Sequence, residues 1–323
     1  MIIEEVNVKS PSPDLQRFVA MHRLLFHTQT WLSSYNSGQI KQCMILNQNR
    51  EVIGCFVYYE FFKARFRCII TPPFTPHIAL FCVNPALSVV GRNSFEKDLG
   101  NLLGDYFKSR NADYLSINLP AEYNDVQPFL WKDYGARSRF TYHLNLEQAE
   151  DELMVNLSSE KRKSLNKARK DGLAVAKADD PKQVYELVTG SLSRNAKNKN
   201  TAIISNIISQ YLNTEQCIAY VAKSGEKTIA ASFCVCDTTS AIYLFGGYDA
   251  TAKHHGAGVS CMWHAILEAK RRGLKIFDFE GSMDPRIERY FREFGPELVT
   301  YQCVEKVKPF FNLLLRIKGH KPL

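Results

Sequence analysis

Two carboxylates in the second half of the chain have the spacing of groups that carry out acid–base chemistry. Asp278 and Glu280 alternate with aromatic residues in the segment FDFEGS, which starts at Phe277. Because side chains alternate across a strand, both carboxylates are expected to project from one face. At the carboxyl end of a sheet strand, such groups hold an amine or accept its proton. The alternative is an N-cap or an ion pair with Arg286 or Arg289.

A glycine-containing loop stands between a strand pattern and a helix pattern, in the segment KHHGAG from Lys253. Glycines let the backbone approach an anion closely, and a helix N-terminus supplies free N–H groups and the positive end of its dipole. We therefore predict that Lys253, Gly256, Ala257 and Gly258 bind a phosphate. A plain turn between strand and helix, with its histidines in solvent, is the alternative.

A candidate for stabilising an oxyanion follows in the segment RYFREFG. A fixed guanidinium beside a backbone N–H stabilises the negative charge that develops in acyl transfer, which singles out Arg292. The corresponding position of the first half holds Lys132, so an architectural role is the alternative. Arg194 and Lys197 belong to a second basic set that suits a phosphate or a carboxylate.

One segment carries most of the positive charge. Residues 161–170 read KRKSLNKARK, which contains no acid and accounts for +6 of the formal net charge of +8. Such a patch attracts the phosphates of a nucleic acid, an anionic lipid or a nucleotide-linked substrate. We predict that the Lys161–Lys170 helix binds a large anionic partner such as tRNA, with a solvated helix face as the alternative.

The elements that must position these residues occur twice, at a spacing of 160 residues. FLWKDYGARSRFTYHL starts at Phe129 and RYFREFGPELVTYQCV starts at Arg289. Each half reads as helix, three antiparallel strands, helix, strand, helix and strand, which predicts an α/β protein with mixed sheets. We expect domains at 1–148 and 149–323, the second carrying the site, with 307–323 a candidate to pack back on the first.

Composition excludes several classes of protein. The 323 residues are 45% hydrophobic and 12% aromatic, which favours two folded domains over a disordered chain. No apolar stretch approaches the roughly 18 residues that span a bilayer, and the start of the chain lacks a signal-peptide pattern. We predict no integral membrane span and a cytoplasmic location, with the inner membrane face as the alternative. The nine cysteines lack clustered pairs, which favours buried thiols over a metal site.

Together these features resemble the GNAT acyltransferases, and two such domains in one chain resemble the FemAB aminoacyl transferases and their BioF2-like relatives. GNAT proteins carry Gln/Arg-x-x-Gly-x-Gly/Ala at the pyrophosphate loop of acyl-CoA, and the motif from Lys253 to Gly258 departs at its first position. The other matching segments are Phe26–Leu32, Ile70–Phe74, Leu157–Leu173, Tyr243–Tyr248, Ala269–Gly281 and RYFREFG. The resemblance covers nearly the whole chain and implies two tandem GNAT-like domains.

The resemblance also implies a reaction and the residues for it. FemAB enzymes build peptidoglycan cross-bridges, and in them a substrate amine attacks an activated acyl group without a covalent enzyme intermediate. Their Phe-Lys pair, which steadies the oxyanion and the leaving group, aligns with Phe291-Arg292, so an arginine replaces the lysine. Candidate substrate-binding residues are Arg194, Lys197, Tyr243, Tyr248 and Tyr290.

We therefore expect an N-acyltransferase that acts on a substrate amine, with a small-molecule or peptide-like acceptor of the cell envelope. The catalytic candidates are Phe291, Arg292, Asp278 and Glu280. The donor is acyl-CoA or aminoacyl-tRNA, used as a co-substrate, and we expect no tightly bound cofactor and no metal. The alternative is a non-catalytic GNAT-like module that binds a nucleotide-linked or lipid-linked envelope precursor. The acceptor, the choice of donor and the oligomeric state stay open.

Overall fold

The computed structural model describes residues 1–194, 200–252, 254–281 and 283–317, apart from the side chain of Arg194. The helices are α1 (Pro13–Met21), α2 (Gln29–Leu32), α3 (Val89–Ser109), α4 (Gln127–Leu130), α5 (Glu150–Asn156), α6 (Ser159–Lys170), α7 (Pro181–Arg194), α8 (Thr201–Tyr211), α9 (Gly256–Arg271), α10 (Pro285–Arg292) and α11 (Pro309–Ile317). The strands are β1 (Ile2–Val6), β2 (Ile40–Leu46), β3 (Val52–Lys63), β4 (Phe66–Ile70), β5 (Phe81–Cys82), β6 (Tyr114–Asn118), β7 (Gly135–Asn145), β8 (Ala174–Lys177), β9 (Cys217–Ser224), β10 (Lys227–Cys236), β11 (Ser240–Tyr248), β12 (Ile276–Asp278) and β13 (Glu297–Val307).

The chain forms two compact units, one of Met1–Arg139 with Thr300–Leu323 and one of Phe140–Val299. The division falls before residue 148 because β7 begins in the first unit and ends in the second, where Leu144 pairs with Phe277 of β12. Similarly, β13 ends in the first unit, where Val304 pairs with Ile117 of β6. The two long strands therefore each contribute residues to both units.

The first unit is a mixed sheet in the order β1-β2-β3-β4-β6-β13, with β5 added beside β3. Its core forms where the long helix α3 covers the sheet, around Phe56, Leu103 and Phe107. Helix α3 begins at Val89 because the Ser88 side chain accepts a hydrogen bond from the Gly91 N–H. Helix α11 packs on this unit through Phe311, which is buried against Phe66 and Tyr114.

The second unit is a mixed sheet in the order β7-β12-β11-β10-β9-β8. Its main core contains Trp263 of α9, Phe277 of β12 and Phe294 after α10. Helix α10 starts after Asp284, whose side chain accepts a hydrogen bond from the Arg286 N–H. Both units are α/β with mixed sheets, which confirms the predicted fold class.

The cysteines are all free, and all except Cys82 are buried. Within the described residues, no group of three or more His, Cys, Asp or Glu side chains is arranged to hold a metal ion. Over the same residues, no helix has both the length and the apolar character that crossing a bilayer requires.

Candidate active site

In the second sheet, β11 and β12 part where their pairing stops, and we call this parting the opening. The two strands are parallel neighbours from Ser240↔Ile276 to Ile242↔Asp278. Beyond Ile242, β11 continues to Tyr248 and pairs, within the described part of the chain, with β10 alone, with a bulge at Leu244. Ligands of open α/β sheets bind at the carboxyl ends of strands, where neighbouring strands part, so this opening is the candidate ligand site.

The equivalent place in the first unit is closed by the chain itself. There β4 and β6 pair in parallel from Cys68↔Tyr114 to Ile70↔Ser116. The segment that leads from β4 to α3 then fills the gap. The Ile78 N–H donates to the Asn118 carbonyl at 3.0 Å, and the Ile78 carbonyl accepts from the Val57 N–H at 2.7 Å. Since Ile78 is also fully buried, a ligand cannot enter there without displacing this segment.

Helix α9 begins beside the opening of the second unit, but its first glycine serves packing. Gly256 and Ala257 are buried. A Cβ atom at Gly256 would lie 2.5 Å from the backbone oxygen of Ser164 in α6, so only glycine lets α6 approach this closely. His254, on the same turn, has its Nε2 atom 3.3 Å from Asp171 Oδ2. Lys253 lies outside the described residues.

The second glycine of the loop faces a different group. Gly258 is half-buried, and a Cβ atom there would lie 3.7 Å from the Tyr290 hydroxyl, which is ordinary contact. Tyr290 is on α10, so its hydroxyl approaches the first turn of α9. Burial raises the pKa of this hydroxyl above its usual range, and burial does the same at Tyr243 of β11. Both phenols therefore stay protonated at neutral pH and are available as donors.

A buried lysine of α6, the helix predicted to bind an anionic partner, packs against Tyr290. Lys161 of α6 is only 5% exposed, and its Nζ atom lies 3.6 Å from the centre of the Tyr290 ring. The same atom lies 5.0 Å from the Phe294 ring and 3.4 Å from Glu293 Oε2. Burial lowers the pKa of the Lys161 amine to about 8, against the attraction of Glu293. A signal was present, because Leu165 and Ala168 follow Lys161 at helical spacing.

This burial corrects the prediction for the Lys161–Lys170 helix. Lys161 is unavailable to a partner, and the Arg162 guanidinium donates to the backbone carbonyls of Val155 and Leu157. Lys167 is bonded to Asp171 at 2.7 Å. The exposed cations of α6 that have no ion pair within the described residues are Lys163, Arg169 and Lys170.

The turn after β12 presents one carboxylate and uses the other to hold its shape. Asp278 Oδ1 accepts hydrogen bonds from the Thr141 hydroxyl at 2.6 Å and from the Glu280 N–H at 2.8 Å. Its Oδ2 atom lies 3.5 Å from His143 Nε2. The sequence spacing predicted that both carboxylates project from one face of a strand, but β12 ends at Asp278 and Glu280 lies in the turn beyond it.

Glu280 has a left-handed backbone, with φ near 60°. This conformation is costly for a residue with a side chain, and such outliers concentrate at functional sites. Gly281 follows with φ near 56°, and a Cβ atom there would clash with the Phe140 carbonyl, so the next position must be glycine. Burial, and secondarily the charge of Asp278, raises the pKa of the Glu280 carboxyl to about 8. A carboxyl group with this pKa accepts and releases protons near physiological pH.

Phe291 and Arg292 point in different directions. The Phe291 ring is buried and packs between Tyr243, at 5.8 Å, and Phe279, at 5.4 Å. Arg292 lies on the outer side of α10 with 60% of its side chain exposed, and its Nε donates to Glu288 at 2.8 Å. The same Glu288 oxygen accepts from the Tyr142 hydroxyl at 2.6 Å. Tyr142 and Glu288 have no local signal in the sequence that predicts this contact.

Of the remaining substrate-binding candidates, the structure describes the side chain of Tyr248, which lies beside α7. Tyr248 is the last residue of β11. Its backbone N–H donates a hydrogen bond to the Ser191 hydroxyl of α7 at 2.9 Å. It lines a shallow groove of about 270 Å³ with Gln183, Glu186 and Thr228. Arg194 is the last residue of α7, but its side chain and all of Lys197 lie outside the described residues. The structure thus brings together Tyr243, Tyr290, Phe291 and Gly258, with the Asp278–Glu280 turn at the end of the neighbouring strand.

Residues 158–292 match the family model described as an acetyltransferase (GNAT) domain, and this match contains the opening, α9 and α10. No curated protein matches the chain.

Solved structures share the fold of nearly the whole chain. The crystal structure of FemX aligns over 97% of this chain and 99% of its own, with a TM-score of 0.64 and 11% identity. L-PGS from Bacillus licheniformis aligns over 95% and 96%, with a TM-score of 0.55 and 10% identity. A tandem GNAT protein from the clavulanic acid biosynthesis pathway aligns over 94% and 97%, with a TM-score of 0.50 and 11% identity. Residues 158–292 therefore match a GNAT domain, and the chain as a whole shares the fold of FemX and of a tandem GNAT protein, which agrees with the predicted fold.

Proposed function

We propose that this protein transfers an acyl group from acyl-CoA to a substrate amine by direct attack, in the opening between β11 and β12. The observation that carries the proposal is the first turn of α9 beside the protonated Tyr290 hydroxyl at Gly258. A helix N-terminus binds the phosphates of a nucleotide-linked donor, and acyl-CoA is the co-substrate of GNAT acyltransferases.

The proposed reaction moves one proton from the amine to the leaving group. The amine nitrogen attacks the thioester carbonyl and forms the C–N bond, Glu280 takes the proton that the amine loses, and the C–S bond breaks. The Tyr290 hydroxyl donates a hydrogen bond to the leaving thiolate, which then takes the proton from Glu280. The raised pKa of Glu280, about 8, suits a base that must take a proton from an amine. Asp278 is a positioning residue, because it holds the Glu280 N–H.

Arg292 is the candidate for stabilising the oxyanion that forms in this reaction. Its exposed guanidinium is paired with Glu288, and its long side chain can swing toward a bound substrate at the cost of that ion pair. Phe291 is assigned a packing role, because its buried ring contacts those of Tyr243 and Phe279.

Aminoacyl-tRNA is the second candidate donor, and one observation favours it. Lys163, Lys167 and Lys170 stand one helical turn apart on α6, and a row of cations at this spacing follows a phosphate backbone. With this donor the acceptor implied by the resemblance is an amine of a peptidoglycan precursor. Binding of tRNA by this row should weaken steeply with salt, whereas binding in the opening should depend on Gly258.

Calorimetric titration of acetyl-CoA and of aminoacyl-tRNA distinguishes the donors. We expect acetyl-CoA to bind the wild type and to bind Gly258→Glu at least about tenfold more weakly, since the new carboxylate stands at the helix N-terminus. Ser224→Glu, at the exposed end of β9, adds the same charge elsewhere and should bind like the wild type. Binding of tRNA alone, lost in Lys163→Glu/Lys170→Glu, would replace acyl-CoA as donor. If a donor binds but no amine is ever acylated, the non-catalytic binding module is the correct interpretation.

A further inference from the structure

Helix α11 of the first unit presents an apolar face to solvent. Phe310, Leu313 and Ile317 follow each other at helical spacing and are 53%, 54% and 73% exposed. On the opposite side of the helix, Phe311 is buried against the Phe66 ring at 5.0 Å and the Tyr114 ring at 5.9 Å. Single exposed apolar residues are ordinary, but three on one face of a short, anchored helix are typical of an interaction surface.

Cations flank this face. The Arg65 guanidinium, on the turn between β3 and β4, lies 5.6 Å from the Phe310 ring and 5.4 Å from the Phe66 ring. Lys63, whose strand position pairs with Phe66, is exposed on the same side of the sheet, and Arg316 is exposed at the end of the helix. The face is therefore joined to basic side chains from two parts of the first unit.

Helix α11 itself carries no acid. Residues 309–317 contain Arg316 and no aspartate or glutamate. Just before the helix, Lys308 pairs with Asp113 at 3.2 Å, so this pair adds no net charge to the face. The charge of the surface therefore complements an anionic partner, while its centre is apolar.

We propose that the outer face of α11, together with Lys63 and Arg65, docks the protein on an anionic membrane surface. An amphipathic helix with this distribution lies in the interface, with its apolar side chains among the lipid acyl chains and its cations at the headgroups. At nine residues α11 is too short to cross a bilayer, so it lies on the surface. This inference does not depend on the proposed function.

Co-sedimentation with vesicles tests the proposal, using phosphatidylcholine vesicles with and without phosphatidylglycerol. We expect the full-length protein to bind the anionic vesicles and to be released by salt. The variant Leu313→Ser/Ile317→Ser should bind at least about tenfold more weakly, because it loses two apolar side chains from the lipid contact. The matched control is Leu87→Ser/Val155→Ser, which removes two exposed apolar residues elsewhere and should bind like the wild type.

Three outcomes would overturn the proposal. The first is no binding to anionic vesicles, and the second is equal binding to both kinds of vesicle. The third is concentration-dependent self-association without lipid that the Leu313→Ser/Ile317→Ser variant abolishes, which would make the face a contact between two copies. An unchanged unfolding midpoint in both double variants shows that neither acts through loss of the fold.

Discussion

At the scale of single residues, a turn with a strained backbone positions the side chain of Glu280 in the second unit. Glu280 adopts a left-handed conformation, Asp278 holds its N–H, and Gly281 makes the close approach to Phe140 that the turn requires. The result is a carboxyl group removed from water next to another carboxylate, which is the arrangement that raises an acid's pKa. A surface glutamate in a relaxed turn would lack this property.

The Glu280→Gln substitution should change how stability depends on pH. The folded protein keeps the Glu280 proton up to a pKa of about 8, whereas the unfolded chain releases it near its ordinary value. The free energy of unfolding should therefore fall by a few kcal/mol as pH rises through this window, and Glu280→Gln should abolish the fall. Urea unfolding of both proteins across the window measures it, with the exposed Glu226→Gln as control. Parallel curves for wild type and Glu280→Gln would refute the buried carboxyl.

The turnover of the wild type should rise as the pH rises through about 8, the pKa of Glu280, because the proposed base must be deprotonated.

The Lys161→Met substitution should remove the opposite dependence. The folded protein releases the Lys161 proton near pH 8, below the unfolded chain's ordinary value, so the free energy of unfolding should rise with pH between the two values. Methionine should make this rise disappear and should change stability at neutral pH by only about 1 kcal/mol, because it fills the site without a buried charge. Glu293 keeps Arg289 as its partner at 2.9 Å.

Lys163→Met is the control for this prediction, because Lys163 is exposed on the same helix. It should leave the pH dependence of the wild type intact. A loss of several kcal/mol at neutral pH in Lys161→Met would mean that the buried cation holds α6 in place.

At the scale of elements, the N-terminus of α9 contacts two different parts of the second unit. Gly256 packs closely against the backbone of α6, whereas a Cβ atom at Gly258 would make only ordinary contact with the Tyr290 hydroxyl. The motif that suggested one phosphate cradle is therefore divided between helix packing and the proposed donor site. This division predicts different results for substitutions only two residues apart.

Gly256→Ala should destabilise the protein by about 1–3 kcal/mol, because its methyl group displaces the Ser164 backbone and with it α6. Gly258→Ala should leave stability within about 1 kcal/mol or raise it slightly, since alanine is the better helix former and its Cβ makes ordinary contact. Guanidinium unfolding of the two variants measures the difference. Equal losses would show that α6 does not press on α9 at Gly256.

At the scale of the whole molecule, the same order of elements occurs in both units, but only the second leaves its parallel strands parted at the carboxyl end within the residues described. In the first unit the connection from β4 to α3 is long, and its residue Ile78 closes the gap by hydrogen bonds on two sides. The long connection of the first unit is thus what makes the two units differ at this place.

Because β7 and β13 each contribute residues to both units, we expect a fragment that is cut at residue 148 to fold poorly. We call this sharing of the two strands the exchange. A fragment of residues 1–148 lacks the end of β13, which pairs with β6, and it lacks α11, which covers Phe66 and Tyr114. The β6 edge would be left unpaired, so we expect the fragment to aggregate. Adding residues 300–323 through a flexible linker after residue 139 should restore a soluble protein. Size-exclusion chromatography with circular dichroism reads both results, and a monomeric, cooperatively unfolding 1–148 fragment would contradict the exchange.

The sequence by itself determined the features that depend on neighbours along the chain. Apolar periodicity predicted the helices and strands of both halves, and the matching order of elements predicted an α/β fold with two domains of one kind. The loop from Lys253 to Gly258 and the Asp278–Glu280 pair were recognisable because glycine, acid and aromatic residues stand close together in the chain. Their resemblance to the GNAT family followed from the same local patterns.

The tertiary structure decided which side of each element is covered. Lys161 is buried because Tyr290 and Glu293, more than a hundred residues later, pack on α6. Arg292 is turned outward because Phe291 takes the place against the core, and Gly256 is enclosed because α6 lies on α9. The first opening is closed by a segment that carries no mark of that role. Burial and long-range pairing depend on all the elements at once, whereas a sequence pattern records only the preferences of residues near one another in the chain.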